Sequence, residues 1–484
     1  SPADAGDSPI ADAGVTTDAG APRGDCWRLG LPTRSFDPTA PTAFQRRQPA
    51  GDFTIELRDG TQWNLQTEWS GCDSYIFLTH DRPISQLNNA SVWTTDVLKL
   101  LEESPYNTHY FFVARGEAGG PTAGYGRDLE ARIDEALSAM PENESDWWRE
   151  HVHVARMPSR HLQVGLIKSM FETNVSQMGF AIDRFQKIRG LGNLADVTAY
   201  NQALKDGDHW PWENRLWMAK HEADYFNFEA EREIRLEAQN ATVIEVFDGS
   251  VIEEFSEGTL RLPDAATMAG FDSMEIDVVM ECPNRDATEQ GNCGAWDYLA
   301  HFYILDGDGE TWLEAARFIT TYHRESRWVV DASFALGWLQ SGGERQIKYN
   351  WAPSWNKQPT GVTLRVRLFN QGKGVRPVQV LPLFTGGSFN SAYNTREPVR
   401  HEIPAGAAKV ELVAITTGHG MDTQNCAEFC RHSHHYSVGD ETFDQIFNEP
   451  GDQEGCAKDA VNGTVPNQSG TWWFGRGGWC PGRR

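Results

Sequence analysis

"MEIDVVMECPNRDATEQGNCGAWDYLAHFYIL", Met274 to Leu305, sets two runs of alternating apolar and polar residues on either side of a loop bounded by Cys282 and Cys293. A period of two marks strands with one face on a core and the other turned outward. Working outward, the same texture continues in both directions. "ATVIEVFDG" and "TLRLP" precede the stretch, and "EAARFITTY", "RWVVDAS", "QIKYN", "TLRVRLF" and "KVELVAITT" follow it. Gly, Pro, Asn and Asp separate the runs, and long helical periods vanish beyond Asn240. Many short strands with regular turn signals predict antiparallel sandwiches or jelly rolls. "FTGGSFNSAYNTREP" (Phe384–Pro398) divides them into a first jelly roll over 241–386 and a second over 387–484.

Upstream the pattern is different. "DFTIELRDGTQWNLQTEW" alternates about an Asp-Gly turn and predicts a hairpin. "DSYIFLTH" and "HYFFVAR" read as buried strands, "TDVLKLLEES" and "RDLEARIDEALSAM" as helices, and "HVHVARM" as a further strand. Residues 162–237 read as more helix, broken at "RGLGNLAD". Strands alternating with helices predict an α/β domain over 26–240. Its order resembles the thioredoxin-like fold, but "DRPISQ" (Asp81–Gln86) stands where redox members carry Cys-x-x-Cys. The expected role is therefore a scaffold or docking domain. Residues 1–25, "SPADAGDSPIADAGVTTDAGAPRGD", have almost nothing to bury and predict a disordered tether. Such tracts commonly follow a removed signal peptide or lipid anchor, which points to a secreted, cell-surface or periplasmic protein.

Composition narrows the function. A formal charge of −25 over 484 residues argues against a nucleic-acid partner, since phosphate binding needs a basic surface. No apolar run approaches the roughly 20 residues of a membrane-spanning helix. Eighteen tryptophans are unusual for a soluble chain; most are expected in the core, though exposed indoles also suit stacking on sugar rings. Of the eight cysteines, Cys282/Cys293, Cys426/Cys430 and Cys456/Cys480 form close local pairs, the pattern of a disulfide framework in an oxidising compartment. Whether Cys26 and Cys72 also pair is open at this level.

Two of these staples carry acidic residues. The first delivers Trp296-Asp297 to the start of a strand, where alternation places Asp297 on one face with His301 and Tyr303, and Trp296 on the other with Phe302 and Ile304. A lone Asp at such a place is usually a turn former, but a stapled loop can hold its carboxylate against a water or an amide. In "NCAEFC", closing Cys426 to Cys430 leaves Glu428 at the tip of a tight ring. Two fixed carboxylates sharing a site have their pKa values pushed apart, which allows one acid and one base. Arg476, in "WWFGRGGWC", could polarise a carbonyl oxygen, though a structural ion pair is the commoner use of such a residue.

"ECPN", "CGAWDY", "CAEFC" and "GRGGWCPG", in this order and with all three cysteine pairs, resemble the peptide-N-glycosidase F family over about 241–482. The resemblance implies two jelly rolls side by side. It also implies metal-free hydrolysis of the amide joining an asparagine side chain to an N-linked glycan, with an N-glycosylated peptide or glycoprotein as substrate. By position it implies catalytic roles for Asp297 and Glu428, a substrate contact for Arg476, and aromatic walls at Trp296, Phe429 and Trp479. Three positions depart from the family pattern. Tyr298 stands in place of an arginine, His419 in place of a tryptophan, and "QIKYNWAPSW" lacks the glutamate of the first jelly roll. The altered surroundings leave a catalytically weakened glycan- or protein-binding module as an alternative.

A second alternative is a copper or zinc site. His432 and His434 stand two apart on an expected strand, so they share a face, with His419 approaching from the preceding strand end and His435 on the opposite face. The resemblance counts against it, because His434 falls on a histidine of members that need no metal. Finally, the family's second jelly roll continues beyond "GWCPG", whereas this sequence stops at Arg484. One expectation is a docked, separate C-terminal piece that supplies the missing strands; the equal alternative is a shortened domain whose sheet edges are covered by its own loops or by the N-terminal domain.

Overall fold

The structure, a computed structural model, describes residues 26–79, 91–115, 125–162, 165–173, 178–196, 213–384, 386–388, 390–417, 431–448, 454–475 and 479–483. The 1–25 tract and "DRPISQ" lie outside the described residues.

The Asp-Gly turn forms the expected hairpin, β1 (Thr54–Glu56) against β2 (Gln62–Asn64). Next come β3 (Ser74–Leu78), α1 (Val97–Glu103), β4 (Thr108–Phe112), α2 (Tyr125–Ala139), α3 (Glu142–His151), β5 (Val152–Val154) and α4 (Leu166–Thr173). They are followed by β6 (Gly179–Ile182), β7 (Ile188–Gly190), a short pair β8 (Ala195–Asp196) and β9 (Glu213–Asn214), and α5 (Lys220–Ala238). The sheet order is β5-β4-β3-β6-β7. Strands β3, β4 and β5 run parallel, while β6 and β7 are antiparallel to their neighbours. Every position of β3 and β4 is buried, which is why neither alternates between apolar and polar residues.

The helix expected through 162–237 is corrected: β6, β7, β8 and β9 lie between α4 and α5. "GFAI" is buried at all four positions by pairing with β3, a tertiary contact that overrides local helical preference. A Cβ on Gly179 would meet the Phe77 carbonyl oxygen at 1.8 Å, so only glycine fits there.

Beyond Asn240 the alternating runs are strands as expected: β10 (Thr242–Ile252), β11 (Phe255–Asp264), β12 (Ser273–Glu281), β13 (Leu299–Leu305), β14 (Trp312–Ile319), β15 (Ser326–Asp331), β16 (Gly342–Asn350) and β17 (Thr360–Phe369). They make two four-stranded antiparallel sheets, ordered β10-β17-β12-β15 and β11-β16-β13-β14. Ile276, Val278, Phe302, Ile304, Phe318, Trp328 and Val366 fill the space between.

After β17 the outcome differs from the expectation. "KVELVAITT" forms no strand, and Val410, Leu412 and Val413 are exposed. An alternating sequence becomes a strand only where another edge accepts its hydrogen bonds, and none of the described residues does so here. Among the described residues of 387–484 the strands are β18 (His432–Val438) and β19 (Glu441–Phe447), a hairpin. The chain then returns to the first unit, where Val465, Trp472, Trp473 and Phe474 share a core with Leu216, Trp217 and Phe226. Gly192, in the break at "RGLGNLAD", lets this segment come close, since a Cβ there would sit 1.9 Å from the Asn467 carbonyl oxygen.

The two large units meet through buried ion pairs. Arg46 and Arg47 of the first bind Glu325 of the sandwich at 3.1 and 2.9 Å. Arg324 returns to Glu222 on α5 at 2.9 Å, and Arg327 bridges Glu233 and Asp277 at 2.7 Å each. Among the described residues no helix is long and apolar enough to cross a membrane.

Candidate active site

The loop between β12 and β13 is closed by the Cys282–Cys293 disulfide and tied down from beneath. Cys282 N donates to Glu325 Oε1 at 3.1 Å, and Glu325 N donates to Glu289 Oε1 at 3.2 Å. Arg324 Nε pairs with Glu289 Oε2 at 2.6 Å, and Cys293 N donates to the Glu289 carbonyl at 2.8 Å. The carboxylate of Glu325 is held below the ordinary glutamate value of 4.5: burial pushes it up, and the guanidinium groups of Arg47 and Arg46 outweigh that.

This base aims the next five residues. His323 N donates to the Gly294 carbonyl at 2.7 Å, and Ala295 N donates to Gln358 Oε1 at 2.7 Å. Thr320 then brackets Asp297. Its Oγ1 donates to the Trp296 carbonyl at 3.1 Å and accepts from Tyr298 N at 2.8 Å, while Thr320 N donates to the Tyr298 carbonyl at 2.9 Å. Asp297 is 4% exposed and Trp296 is 54% exposed.

That placement corrects the alternation argument, which put Trp296 on the core side. Strand β13 begins at Leu299, so residues 296–298 belong to the loop and the period of two does not reach them. Within the strand the alternation holds: Phe302 and Ile304 are buried, whereas His301 and Tyr303 face outward. Tyr298 lies edge-on to Trp355 at 6.2 Å, and its hydroxyl accepts a hydrogen bond from Asn356 Nδ2. Burial raises the Tyr298 pKa, the bond from Asn356 opposes this, and the negative charge of Asp297 adds to the rise. Trp355 is 79% exposed, so Trp296 and Trp355 offer two solvent-facing indoles close to the buried carboxylate.

The end of the chain arrives at the same place. Trp479 packs against the sandwich core, and Cys480 is bonded to Cys456. Gly482 N donates to the Ile319 carbonyl at 3.0 Å, one residue before Thr320. Gln468 ties Tyr322 N and the Pro481 carbonyl together at 2.9 and 2.8 Å. Asp297 and Trp479 are thus brought to one end of the sandwich by Thr320 and its neighbours. Glu428, Phe429, His419, Cys426, Cys430 and Arg476 lie outside the described residues. Cys26 and Cys72, open from sequence, are bonded.

His432 and His434 share the half-buried face of β18 with Tyr436, and His435 is on the other face against Asp444, as expected. Burial lowers the His434 pKa, and the neighbouring His432 and His435 lower it further. Sequence reasoning missed Thr320, Arg324, Glu325 and Trp355. Their roles come from contacts across the β13–β14 hairpin, between the two units and, for Trp355, from the β16–β17 loop to Tyr298, so no local motif marks them.

Residues 388–484 match the family described as peptide-N-glycosidase F, C terminal. Over 281 residues, 51% of this chain and 71% of the relative, the sequence is 22% identical to peptide-N(4)-(N-acetyl-beta-D-glucosaminyl)asparagine amidase F of Elizabethkingia miricola. Among solved structures, PNGase F, a glycosylasparaginase from Flavobacterium meningosepticum, is 19% identical, with 50% of this chain and 81% of that one covered and a TM-score of 0.34. PNGF-II is 14% identical, with 52% and 58% covered and a TM-score of 0.35.

Proposed function

From the match of residues 388–484 to the peptide-N-glycosidase F family and the 22% identity to an amidase of that name over 281 residues, we propose that the protein is an amidase removing N-linked glycans from glycoproteins or glycopeptides. The observation that carries the reading is the pre-set Asp297 loop: a buried carboxylate bracketed on both sides by Thr320, beside the exposed Trp296. A carboxylate so held needs little rearrangement to orient a water. In the reaction, that water adds to the asparagine amide carbonyl while Asp297 accepts its proton. The C–N bond then breaks, with Glu428 supplying a proton to the departing nitrogen and Arg476 polarising the carbonyl oxygen. Trp296, Tyr298 and Trp479 contribute aromatic surface for the sugar, with Phe429 and His419 completing the wall. No metal or other cofactor enters this mechanism.

The finer architecture belongs to the same proposal. The β10–β17 strand order, in which every consecutive pair but β13–β14 passes between the sheets, supports an eight-stranded jelly roll over 241–386, with 387–484 as its companion. Parallel β3 and β4 joined through α1, next to the antiparallel β6–β7, support a thioredoxin-like accessory domain. The disulfides support a secreted or surface location.

The test is incubation of the full chain with a denatured glycopeptide, followed by mass analysis for conversion of the glycosylated asparagine to aspartate. Glycan binding without conversion at high protein concentration would sink the amidase and leave the binding module.

A further inference from the structure

We propose that the first unit holds a divalent transition-metal ion between Asp73, His109 and His151, apart from the Asp297 loop. One carboxylate oxygen and one nitrogen from each imidazole lie within 4.8 Å of one another. Three elements deliver them to the same edge of the sheet. Asp73 immediately precedes β3, His109 is the second residue of β4 in register with Tyr75, and His151 closes α3 where the chain turns into β5.

The hydrogen bonds around the cluster select the ligand atoms. His151 Nδ1 is 2.8 Å from the Trp147 carbonyl, which can only accept, so Nδ1 carries the proton and Nε2 keeps its lone pair. His109 Nδ1 is 3.0 Å from His153 Nε2. His109 Nε2 faces Asp73 Oδ2 at 3.4 Å. A proton on Nε2 makes this a hydrogen bond; with the proton on Nδ1, directed at His153, the Nε2 lone pair and the carboxylate face one another and a cation between them satisfies both. Ligand atoms about 2.1 Å from a tetrahedral ion are themselves about 3.4 Å apart, which is the separation of His109 Nε2 from Asp73 Oδ2.

The surroundings have the form of a built site. An imidazole whose second nitrogen is engaged by a carbonyl or another side chain is the usual support of a metal-bound histidine. Trp147 stacks on His151 at 4.6 Å and Tyr75 on His109 at 5.1 Å, fixing both rings. Asp73 N donates to Ser70 Oγ at 3.0 Å, and the neighbouring Cys72 is anchored by its bond to Cys26. All three ligand residues are buried, yet each keeps some accessible surface, which leaves a way in for an ion. Two imidazoles and one carboxylate suit zinc and its first-row neighbours, with water completing the coordination.

The experiment uses the full chain, stripped with a chelator and titrated with zinc by equilibrium dialysis, with cobalt(II) as a spectroscopic substitute. One equivalent of zinc should bind. Asp73→Asn and His151→Gln should each weaken binding at least tenfold, and His153→Phe, which removes only the support of His109, should weaken it less. Replacing both His432 and His434 by glutamine should change nothing. Zinc should also raise the melting temperature of the parent protein and not that of the Asp73 or His151 variants, compared after each is shown to melt cooperatively without metal. The proposal is overturned if no stoichiometric zinc or cobalt binds, or if binding survives in folded Asp73→Asn and His151→Gln proteins.

Discussion

Thr320 does for Asp297 what no neighbour in sequence could. One side chain takes a hydrogen bond from the residue after the aspartate and gives one to the residue before it. Asp297→Asn keeps the shape of the loop and removes basicity, so turnover should fall by about 10²–10⁴-fold while the melting temperature stays near that of the parent. Activity within tenfold of the parent would remove Asp297 from the centre of the reaction. Thr320→Val is nearly isosteric but abandons the Trp296 carbonyl and Tyr298 N–H, costing about 1–3 kcal/mol of stability. Its kcat and its affinity for the glycopeptide should both fall, because the lost bonds hold Trp296 and Tyr298, the residues on either side of the carboxylate. Rescue by Thr320→Ser would separate lost hydrogen bonding from lost packing. Asp297 stood out in the sequence because two cysteines and a tryptophan framed it. Thr320 did not, because its meaning lies in a partner segment more than twenty residues away.

At the scale of elements, legibility followed the length of the alternation. Strands β10 to β17 were read correctly, because each presents one face to the sandwich core over many residues. Strand β6 was taken for helix, and most of β7 for a break in it, because they are short and wholly buried, and a short apolar run carries no period. The ion pairs beneath the Cys282–Cys293 loop left no trace in sequence, since Arg324 reaches Glu222 on α5 and Glu289 in the loop together. Charge inside a domain interface is costly unless every partner is present. Arg324→Met should therefore destabilise the protein by about 3–5 kcal/mol, by stranding two buried carboxylates and abandoning the Gly190 and Pro466 carbonyls. Chemical denaturation measures this directly, and a loss below about 1 kcal/mol would mean that the interface does not depend on the pair.

Across the whole molecule, carboxylates at and beside the junction of the first unit and the sandwich must stay ionised. Glu325 of the sandwich receives Arg46 and Arg47 from the first unit, and within the first unit Arg47 also reaches Glu229 on α5, which Arg189 and Arg232 grip as well. Burial works to raise both carboxyl pKa values, and the guanidinium charges pull them below the ordinary 4.5. The folded form thus binds fewer protons than the unfolded chain under acid conditions, so stability must decrease as pH decreases. The contribution is complete above the unfolded value of about 4.5 and is lost as pH falls from there through the lower folded values. The sandwich core itself is apolar and indifferent to pH, so the junction should fail before the sheets do. Between pH 5 and pH 3 the melting transition should move down and split, with the first unit and its C-terminal strap of Trp472 and Trp473 unfolding ahead of the sandwich. Glu325→Gln should already be destabilised at neutral pH and should show a shallower dependence on acid than the parent. Calorimetry of both proteins across that range decides the matter: a single transition of constant position, or an acid slope unaltered by the glutamine, would mean that the carboxylate junction does not hold the two units together.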